Sequence, residues 1–260
     1  MKIATWNVNS IRARLDNVIT WLKETSPDVV CLQEIKTVEE TFPREALEDL
    51  GYNIAIHGQK SYNGVAMLSK LPLEDVITQL PGDESDEQAR FLQATVSTHS
   101  GAVTIASIYA PNGNPVDSDK YPYKLAWMER LHAHVENMLS HEECFVIAGD
   151  YNVIPHEDDV HNPDGWREDA LFRPETLQRY RALLNLGLTD GYRACEQAAH
   201  QYTFWDYQAG AWPKDHGVRI DHHLLSPQAA DRLEHAGIDR YVRGWQKASD
   251  HVPIWIELSV

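Results

Sequence analysis

Short apolar runs that end in polar residues recur along the chain. They are rich in β-branched side chains and too brief for typical helices, which is the pattern of buried strands. The pattern therefore predicts a strand-rich protein. The predicted strands cover residues 2–7, 29–34, 53–57, 64–69, 91–96, 103–110, 144–150, 219–226 and 253–258.

Other segments have a helical repeat. Apolar side chains recur every three or four positions in residues 11–24 and 123–139, so one face of each segment is apolar. Residues 174–188 begin with Pro174 and carry Gly187 near their end, which is the order expected of a helix. We predict a helix over each segment.

The order of these elements predicts the fold class. Strands outnumber helices, and several consecutive strands are separated only by turns, which excludes a simple alternating parallel sheet. We predict an α/β (α+β) fold in which mixed sheets pack face to face with helices outside. The long polar connections at 81–90, 111–120 and 155–172 are predicted to be loops on one core, so we expect one domain.

Composition narrows the protein class. The chain has 260 residues, of which 43% are hydrophobic and 24% charged, as in an ordinary globular protein. Its start does not have the pattern of a signal peptide, and no apolar run has the length of a membrane span. An odd number of cysteines, 3, favours reduced thiols. We therefore expect a cytoplasmic protein without membrane association.

The net charge of −16 leaves two interpretations open. Surfaces that bind nucleic acid are usually basic, so this charge alone argues against a nucleic-acid partner. Alternatively, part of the acid converges on a bound cation. The positions of the acidic residues decide between the two.

Polar groups gather at the ends of the predicted strands. Residues spaced i, i+2 on an extended chain project from the same side, so Asp150 and Asn152 can face one place while Tyr151 faces away. Asp250 and His251 stand just before the last run. The other groups at strand ends are Asn7, Asn9, Gln33, Glu34, Lys36, Tyr109, Asn112, Asn114 and Asp221.

Any one of these segments is more typical of a turn or a helix cap than of a site. Together they predict a cluster that includes Glu34, Asp150, Asp221 and Asp250. Two like charges about 4 Å apart repel by roughly 4 kcal/mol at an effective dielectric near 20. Either some carboxyls are protonated or a cation lies among them. Oxygen ligands favour Mg²⁺ or Mn²⁺ over zinc.

His251 needs a carboxylate that fixes its tautomer or stabilises its imidazolium. Asp250 is adjacent, and adjacent side chains on an extended segment point apart, so Asp221 is the predicted partner. A metal, a His–Asp pair, a carboxylate able to hold water, amides and a tyrosine are the groups that phosphoryl transfer requires.

These residues resemble the exonuclease III family of abasic-site (AP) endonucleases, within the endonuclease/exonuclease/phosphatase superfamily that includes deoxyribonuclease I. The resemblance covers essentially the whole chain. It implies a four-layer sandwich of two mixed sheets flanked by helices, in one catalytic domain of residues 1–260. Lys36 and the sequence Arg219-Ile220-Asp221 favour the DNA repair branch over lipid and inositol phosphatases. The segments that carry the resemblance are WN near the start, LQEIK, YAPNGN, GDYN, GVRIDHHLLS and SDH.

The resemblance also implies the cofactor and its ligands. Glu34 would be the principal ligand of Mg²⁺, for which Mn²⁺ could substitute. Asn7 would support the metal site, and Asp250 would support the metal or the water network.

For catalysis, the resemblance implies that Asp150 positions or activates the attacking water with the help of Asn152. His251, paired with Asp221, would contact the scissile phosphate and stabilise its developing charge. Tyr109 would hold the phosphate or assist the leaving oxygen.

For substrate binding, the resemblance implies a pocket for an extruded abasic sugar, lined by Phe204 and Trp205. Charged and amide side chains would contact the DNA backbone. The full predicted binding set is Asn9, Lys36, Arg90, Asn112, Phe204, Trp205 and Arg219. A local basic rim is expected from Arg12, Arg14, Lys36, Arg90, Lys214, Arg219 and Lys247.

The resulting expectation is a monomeric, Mg²⁺-dependent phosphodiesterase that acts on double-stranded DNA. It would cut 5′ to abasic sites and trim 3′ ends by in-line attack of water. Two alternatives stay open. One is the same chemistry on a small phosphoester or lipid headgroup, and the other is a non-catalytic DNA-binding module.

Overall fold

The computed structural model describes residues 1–260, and its framework is two six-stranded sheets. The first sheet has the order β11-β12-β1-β2-β4-β3 and the second β5-β6-β7-β8-β10-β9. The β1–β2 and β7–β8 pairs are parallel, and the other pairs are antiparallel. The strands are β1 (Lys2–Asn7), β2 (Val29–Gln33), β3 (Asn53–His57), β4 (Val65–Ser69), β5 (Glu74–Ile77), β6 (Phe91–Thr98), β7 (Gly101–Tyr109), β8 (Phe145–Asp150), β9 (Thr189–Asp190), β10 (Asp221–Leu225), β11 (Leu233–Ile238) and β12 (Ile254–Leu258).

Helices cover the outer faces of both sheets, which confirms the predicted four-layer sandwich. The first helix packs on the first sheet, and the third and fifth pack on the second. No helix of the chain combines the length and apolar character that crossing a bilayer requires. The helices are α1 (Leu15–Thr25), α2 (Arg44–Glu48), α3 (Lys120–Leu139), α4 (Pro163–Trp166), α5 (Pro174–Asn185), α6 (Gly191–Cys195), α7 (Ala211–Lys214) and α8 (Pro227–Ala230).

Strand β1 shows why the apolar runs are continuous and do not alternate with polar residues. Ala4 and Trp6 pack in the core beneath α1, whereas Ile3 packs in the core between the sheets. Both faces of a central strand are thus buried, and each fully buried aliphatic or aromatic side chain stabilises the fold by about 1.5–3 kcal/mol. Asn7 follows at the end of the strand and is also buried.

A chain of buried polar groups joins the two sheets. Thr5 on β1 donates to Gln33 Oε1 on β2, and Gln33 Nε2 donates to Ser107 Oγ on β7, each at 3.1 Å. All three residues are fully buried. Because unpaired polar groups in the core are costly, these hydrogen bonds favour a single alignment of one sheet over the other.

The predicted strands all occur, but the pattern missed β5, β9 and β11. Strand β5 is exposed throughout and β11 lies at a sheet edge, so neither has the buried, apolar character of the others. Helix α1 begins four residues later than predicted, at Leu15. The backbones of Asn9 and Ser10 have φ of 43° and 86°, which shifts the helix start beyond the turn that follows them.

Arg219 was predicted to contact DNA, and the structure shows that this was wrong. The residue is fully buried. Its Nε lies 2.8 Å from Asp159 Oδ1 and its Nη2 2.9 Å from Asp190 Oδ2. Successive residues on an extended segment face opposite sides, so Arg219 points into the interior while Ile220 lines the cavity described below. The guanidinium neutralises buried carboxylates and cannot reach a DNA backbone.

The adjacent histidines of β10 are also interior residues. His222 and His223 are fully buried. Burial lowers the pKa of His222 to about 4 and that of His223 to about 3. His223 has no hydrogen-bond partner at either ring nitrogen. Both side chains are therefore neutral in the folded protein at neutral pH.

Arg219→Met is expected to lower the free energy of unfolding by roughly 3–5 kcal/mol, because it leaves Asp190 without its cationic partner and removes one of the two arginines that pair with Asp159. Urea unfolding at neutral pH measures this loss. The control, Lys23→Met, changes an exposed cation outside any salt bridge and should shift stability by less than about 0.5 kcal/mol. Equal effects of the two substitutions would contradict the importance of the ion pairs.

Acid is expected to destabilise the fold through His223. Its pKa in the unfolded chain is about 6.5. Since its folded pKa is lower, the unfolded state binds more protons below about pH 6.5, and stability falls as the pH drops towards the folded value. At pH 5 one such histidine costs roughly 2 kcal/mol. His223→Leu should reduce the difference in unfolding free energy between pH 7 and pH 5, and the exposed control His99→Leu should leave it unchanged.

Candidate active site

The predicted site residues meet at one end of the two sheets. The carboxyl ends of β1, β2, β7 and β8 reach this end, as do the amino end of β10 and the segment before β12. A cavity of about 340 Å³ opens there. Its lining includes eight of the predicted residues, namely Glu34, Tyr109, Asn112, Asp150, Asn152, Phe204, Asp250 and His251.

The predicted pairing of His251 with Asp221 is present. Nδ1 of His251 lies 2.9 Å from Asp221 Oδ2, and its Nε2 lies 3.7 Å from Asp150 Oδ2. Burial alone would lower the pKa of His251, but the carboxylates of Asp221 and Asp150 raise it to about 10. At neutral pH the ring is therefore an imidazolium between two buried carboxylates.

Asp150 is held by donors on both oxygens. Asn7 Nδ2 donates to Oδ2, and the backbone N–H of Asn152 donates to Oδ1, each at 2.9 Å. Burial raises the pKa of Asp150 to about 7, with His251 lowering it and Asp221 raising it. The carboxyl group thus titrates near neutrality.

Gly149 allows β8 to carry this carboxylate to the cavity. A Cβ atom at position 149 would lie 2.0 Å from the carbonyl oxygen of Ile108 on the neighbouring strand. No larger residue fits at that distance. Tyr151, as predicted, faces away from the cavity, since it is buried and donates its hydroxyl to the Ile147 carbonyl.

Asn152 and Asn112 form a linked pair of amides. Nδ2 of Asn112 donates to Asn152 Oδ1 at 3.1 Å, and Nδ2 of Asn152 donates to the carbonyl of Ala110 at 2.9 Å. The backbone of Asn152 has a φ of 49°, which asparagine adopts more readily than most residues. Both amide side chains are therefore oriented before any substrate binds.

Lys124, a fully buried residue of α3, was missed in the sequence analysis. Its Nζ donates to the backbone carbonyls of Asn112 and Asn152, and burial lowers its pKa to about 7. The available signal was its place in the apolar repeat of α3, where it precedes the buried Met128 by four positions. A lysine on the buried face of a helix indicates a partner in the interior.

A second group of polar side chains surrounds Glu34. Nδ2 of Asn7 donates to Glu34 Oε1 at 2.9 Å, and Lys36 Nζ lies 2.8 Å from Glu34 Oε2. Burial would raise the pKa of Glu34, but Lys36, Asn7 and His251 lower it below its usual range. Asn9 connects this group to Asp250 by a hydrogen bond of 3.2 Å.

This donor set fits a metal ion. Glu34, Asn7 and Asp250 offer oxygen atoms only, which suits a hard cation. Asp221 Oδ1 is buried without a hydrogen-bond partner. Single ligand atoms of Asp150, Asp221 and His251 also lie within 4.8 Å of one another. Since both ring nitrogens of His251 face carboxylates, the Glu34 side of the cavity is the better cation site.

Tyr109 stands beside both groups. Burial, together with Glu34 and Asp150, holds its pKa well above the usual value, so its hydroxyl keeps a proton to donate. The Arg90 guanidinium lies 4.8 Å from the Tyr109 ring centroid and donates to the Tyr109 carbonyl at 3.1 Å. Arg90 therefore lies beside Tyr109, and its predicted contact with the DNA backbone stays a prediction.

Of the two aromatic residues predicted to line a sugar pocket, only Phe204 lines the cavity. Its ring centroid is 4.9 Å from that of His251. Trp205 is fully buried, donates Nε1 to Asp215 at 3.0 Å and packs on Trp212. The prediction for Trp205 was wrong because consecutive side chains of this extended segment point to opposite sides.

The loop of residues 155–172 also contributes to the cavity, which the sequence analysis missed. Trp166, Asp169 and Leu171 line it, together with Asn114. Asn114 Nδ2 donates to both oxygens of Asp169, at 3.1 and 3.2 Å, which ties the loop to the site. Acidic and aromatic residues in a long loop were the available signal.

Comparison with known proteins agrees with this geometry. The chain is 34% identical over 265 residues to exodeoxyribonuclease III of Haemophilus influenzae, with 99% of both chains covered. It is similar in structure to an AP endonuclease from Archaeoglobus fulgidus, with a TM-score of 0.94, 37% identity and full coverage of both chains. The 3′ phosphatase NExo from Neisseria, solved with a product DNA hairpin, matches with a TM-score of 0.94, 36% identity and full coverage.

The family profile gives the same result over nearly the whole chain. The match to the endonuclease/exonuclease/phosphatase family spans residues 4–251 and therefore includes every strand end that contributes to the cavity. The chain belongs to the endonuclease/exonuclease/phosphatase family.

Proposed function

We propose that the protein is a metal-dependent DNA repair phosphodiesterase that cuts duplex DNA 5′ to abasic sites and leaves a 3′-hydroxyl. It also acts as a 3′→5′ exonuclease and trims blocked 3′ ends. The observation that carries the proposal is the convergence of Glu34, Asp150 and the Asp221–His251 pair in one cavity. The names of the similar proteins, an exodeoxyribonuclease, an AP endonuclease and a 3′ phosphatase, support this substrate class.

In the proposed mechanism, Asp150 accepts a proton from the attacking water. A base with a pKa of about 7 suits this task, because about half of it is ionised at neutral pH and the ionised form is basic enough to accept a proton. Asn152 orients the water, and Asn7 holds Asp150 in place. The water attacks phosphorus in line with the leaving oxygen, and no covalent enzyme intermediate forms.

His251 and Tyr109 act on the phosphate. The imidazolium of His251 donates to a non-bridging oxygen, whose negative charge grows in the transition state. Tyr109 remains protonated and donates to the phosphate or to the leaving oxygen. Asp221 keeps the imidazolium in its charged form and in its orientation.

The proposed cofactor is Mg²⁺, with Mn²⁺ as a substitute. Glu34 would be its principal ligand, with Asn7 and Asp250 in support. When bound, such an ion supplies Lewis-acid polarisation of the phosphoryl oxygen. Lys36 neutralises Glu34 in this structure and would be released to contact DNA.

Substrate selection is proposed to depend on the apolar wall of the cavity. Phe204, Leu171 and Ile220 line this wall and would face a sugar that carries no base. A missing base also lowers the energy needed to extrude the sugar from the duplex. Asn9, Arg90 and Asn112 would contact the backbone. We further propose that residues 1–260 act as one catalytic domain, as a monomer, in the cytoplasm.

Metal-dependent incision is the direct test. A duplex oligonucleotide with one abasic site should be cut 5′ to that site in Mg²⁺, left intact in chelator, and cut again when Mg²⁺ is restored. Gel analysis with end labels identifies the 3′-hydroxyl product. Binding without cutting in Mg²⁺ would instead indicate a non-catalytic module, and hydrolysis of only small phosphomonoesters or inositol phosphates would indicate a different substrate.

Asp150→Asn should lower the incision rate by on the order of 10²–10⁴-fold, because the amide cannot accept the proton of the water. Binding to abasic DNA should survive. Single-turnover kinetics and a gel-shift assay measure the two quantities. The matched control Asp231→Asn changes an exposed carboxylate and should leave both unchanged. Near-normal incision by Asp150→Asn would refute the role assigned to this residue.

A further inference from the structure

Lys124 is the only fully buried lysine of the chain, and the proposed mechanism gives it no task. No carboxylate oxygen lies within 4.0 Å of its Nζ, which instead contacts two backbone carbonyls. Burying an ammonium is costly unless it is paired with an opposite charge, and a methionine would fill nearly the same space without that cost. The contacts of this lysine with the two carbonyls therefore need an explanation beyond packing.

The two carbonyls belong to the loops that carry the linked amides of the cavity. Nζ of Lys124 donates to the carbonyl of Asn112 at 3.0 Å and to that of Asn152 at 2.6 Å. No other donor of the chain contacts either carbonyl. Asn112 lies after β7 and Asn152 after β8, and both residues line the cavity. One side chain thus connects the backbones of both loops at the residues that carry the amides.

The backbone of Asn152 is held on both sides of its α-carbon. Its N–H donates to Asp150 Oδ1 at 2.9 Å, and its carbonyl accepts from Lys124. Between these contacts the residue has a φ of 49°, in the left-handed region that is less favourable for residues with a side chain. A backbone held at both ends sets the direction in which the amide leaves it. Without Lys124, this conformation loses one of its two supports.

Gly113 leaves the space through which the lysine reaches the loops. A Cβ atom at position 113 would lie 2.7 Å from Lys124 Cδ and 3.1 Å from the Cβ of Ala170. The φ of Gly113, 90°, is also one that glycine adopts more readily than other residues. The aliphatic part of the lysine is thus enclosed, which fixes the position of Nζ before any substrate binds.

The contacts do not depend on the charge of Lys124. Burial lowers its pKa to about 7, whereas Asp150 and Asp169 act to raise it. The ammonium has three N–H donors, and the neutral amine keeps two. Either form can therefore donate to both carbonyls, and the two loops stay connected on both sides of neutral pH.

We propose that Lys124 is a positioning residue, which fixes the linked amides of Asn152 and Asn112 so that Asn152 orients the attacking water. This inference rests on the proposed function, in which Asn152 has that task. Lys124 itself contacts neither the substrate nor the reacting atoms and acts only through the two carbonyls. Since a displacement of about 1 Å in a positioned group can cost about 10²-fold in rate, the loss of this anchor affects catalysis more than binding.

Lys124→Met keeps a linear, buried side chain but removes the donor. The single-turnover rate of incision at saturating abasic-site duplex should fall about tenfold or more, while the Kd for the same duplex in chelator should change by less than about twofold. The control Val135→Ala removes buried methyl groups from the same face of α3, about three turns away, and should leave both quantities at their wild-type values. An unchanged rate for Lys124→Met would overturn the inference.

A double-mutant cycle separates positioning from a general loss of stability. If Lys124 acts through Asn152, its substitution should cost less than about twofold in an Asn152→Ala background, where that amide is absent. Equal rate losses in both backgrounds would show that Lys124 acts by another route and would refute the inference. If Lys124→Met does not fold, the shorter Lys124→Gln takes its place in the cycle. Failure of both variants to fold would assign the lysine to the fold and would also overturn the inference.

The side-chain amide resonances of Asn152 and Asn112 report positioning without any turnover. In proton–nitrogen correlation NMR spectra of the free protein, these resonances are assigned through Asn152→Ala and Asn112→Ala. Both should move towards the values of unstructured asparagine in Lys124→Met and should keep their wild-type values in Val135→Ala. Unchanged resonances in Lys124→Met would refute the inference even if the rate falls. If the wild type cuts no DNA, the proposed function fails, and these spectra still decide on Lys124.

Discussion

The fold depends on a positive charge that lies beside carboxylates buried at the ends of its strands. Asp150 and Asp221 stand opposite each other in the β8–β10 register, where two carboxylates in a region of low dielectric would repel strongly. The imidazolium of His251 lies beside both and converts this repulsion into an attractive triad. Asp221 and Asp150 raise the pKa of His251, whereas burial raises the pKa of Asp150 and the imidazolium lowers it. The same three side chains therefore both balance the buried charge and form the centre of the candidate active site.

Behind the cavity, Arg219 repeats this solution with a guanidinium in place of the imidazolium. One guanidinium there serves two carboxylates, Asp159 and Asp190, which belong to two different segments. The network precedes β10 directly and holds the start of that strand, where Asp221 is located. Arg219 is therefore wholly structural although it stands only two positions from Asp221, which pairs with His251.

Much of the fold and site could be predicted because the residues concerned carry local signals. Buried strands such as β1 and β8 are continuous apolar runs, and Asp150 is a charged residue at the end of one such run. The errors at Trp205 and Arg219 have a different origin. Sequence shows that neighbouring side chains alternate, but it does not show which of the two faces the cavity until the sheets have packed. The burial of Lys124 could have been predicted from its place in the apolar repeat of α3, but its partners are backbone carbonyls, which cannot be identified from a sequence.

The hydrogen-bonded chain from Thr5 through Gln33 to Ser107 has a consequence for how the active site is held together. Asn7 belongs to one sheet and Asp150 to the other, so the hydrogen bond between them crosses the interface between the two sheets. A small slide of one sheet over the other would separate them without breaking any strand pairing. The hydrogen bonds of this buried polar chain fix the position of one sheet relative to the other. The alignment of Asn7 with Asp150 therefore depends on packing throughout the interior. A substitution far from the cavity that shifts one sheet against the other would also separate these two side chains.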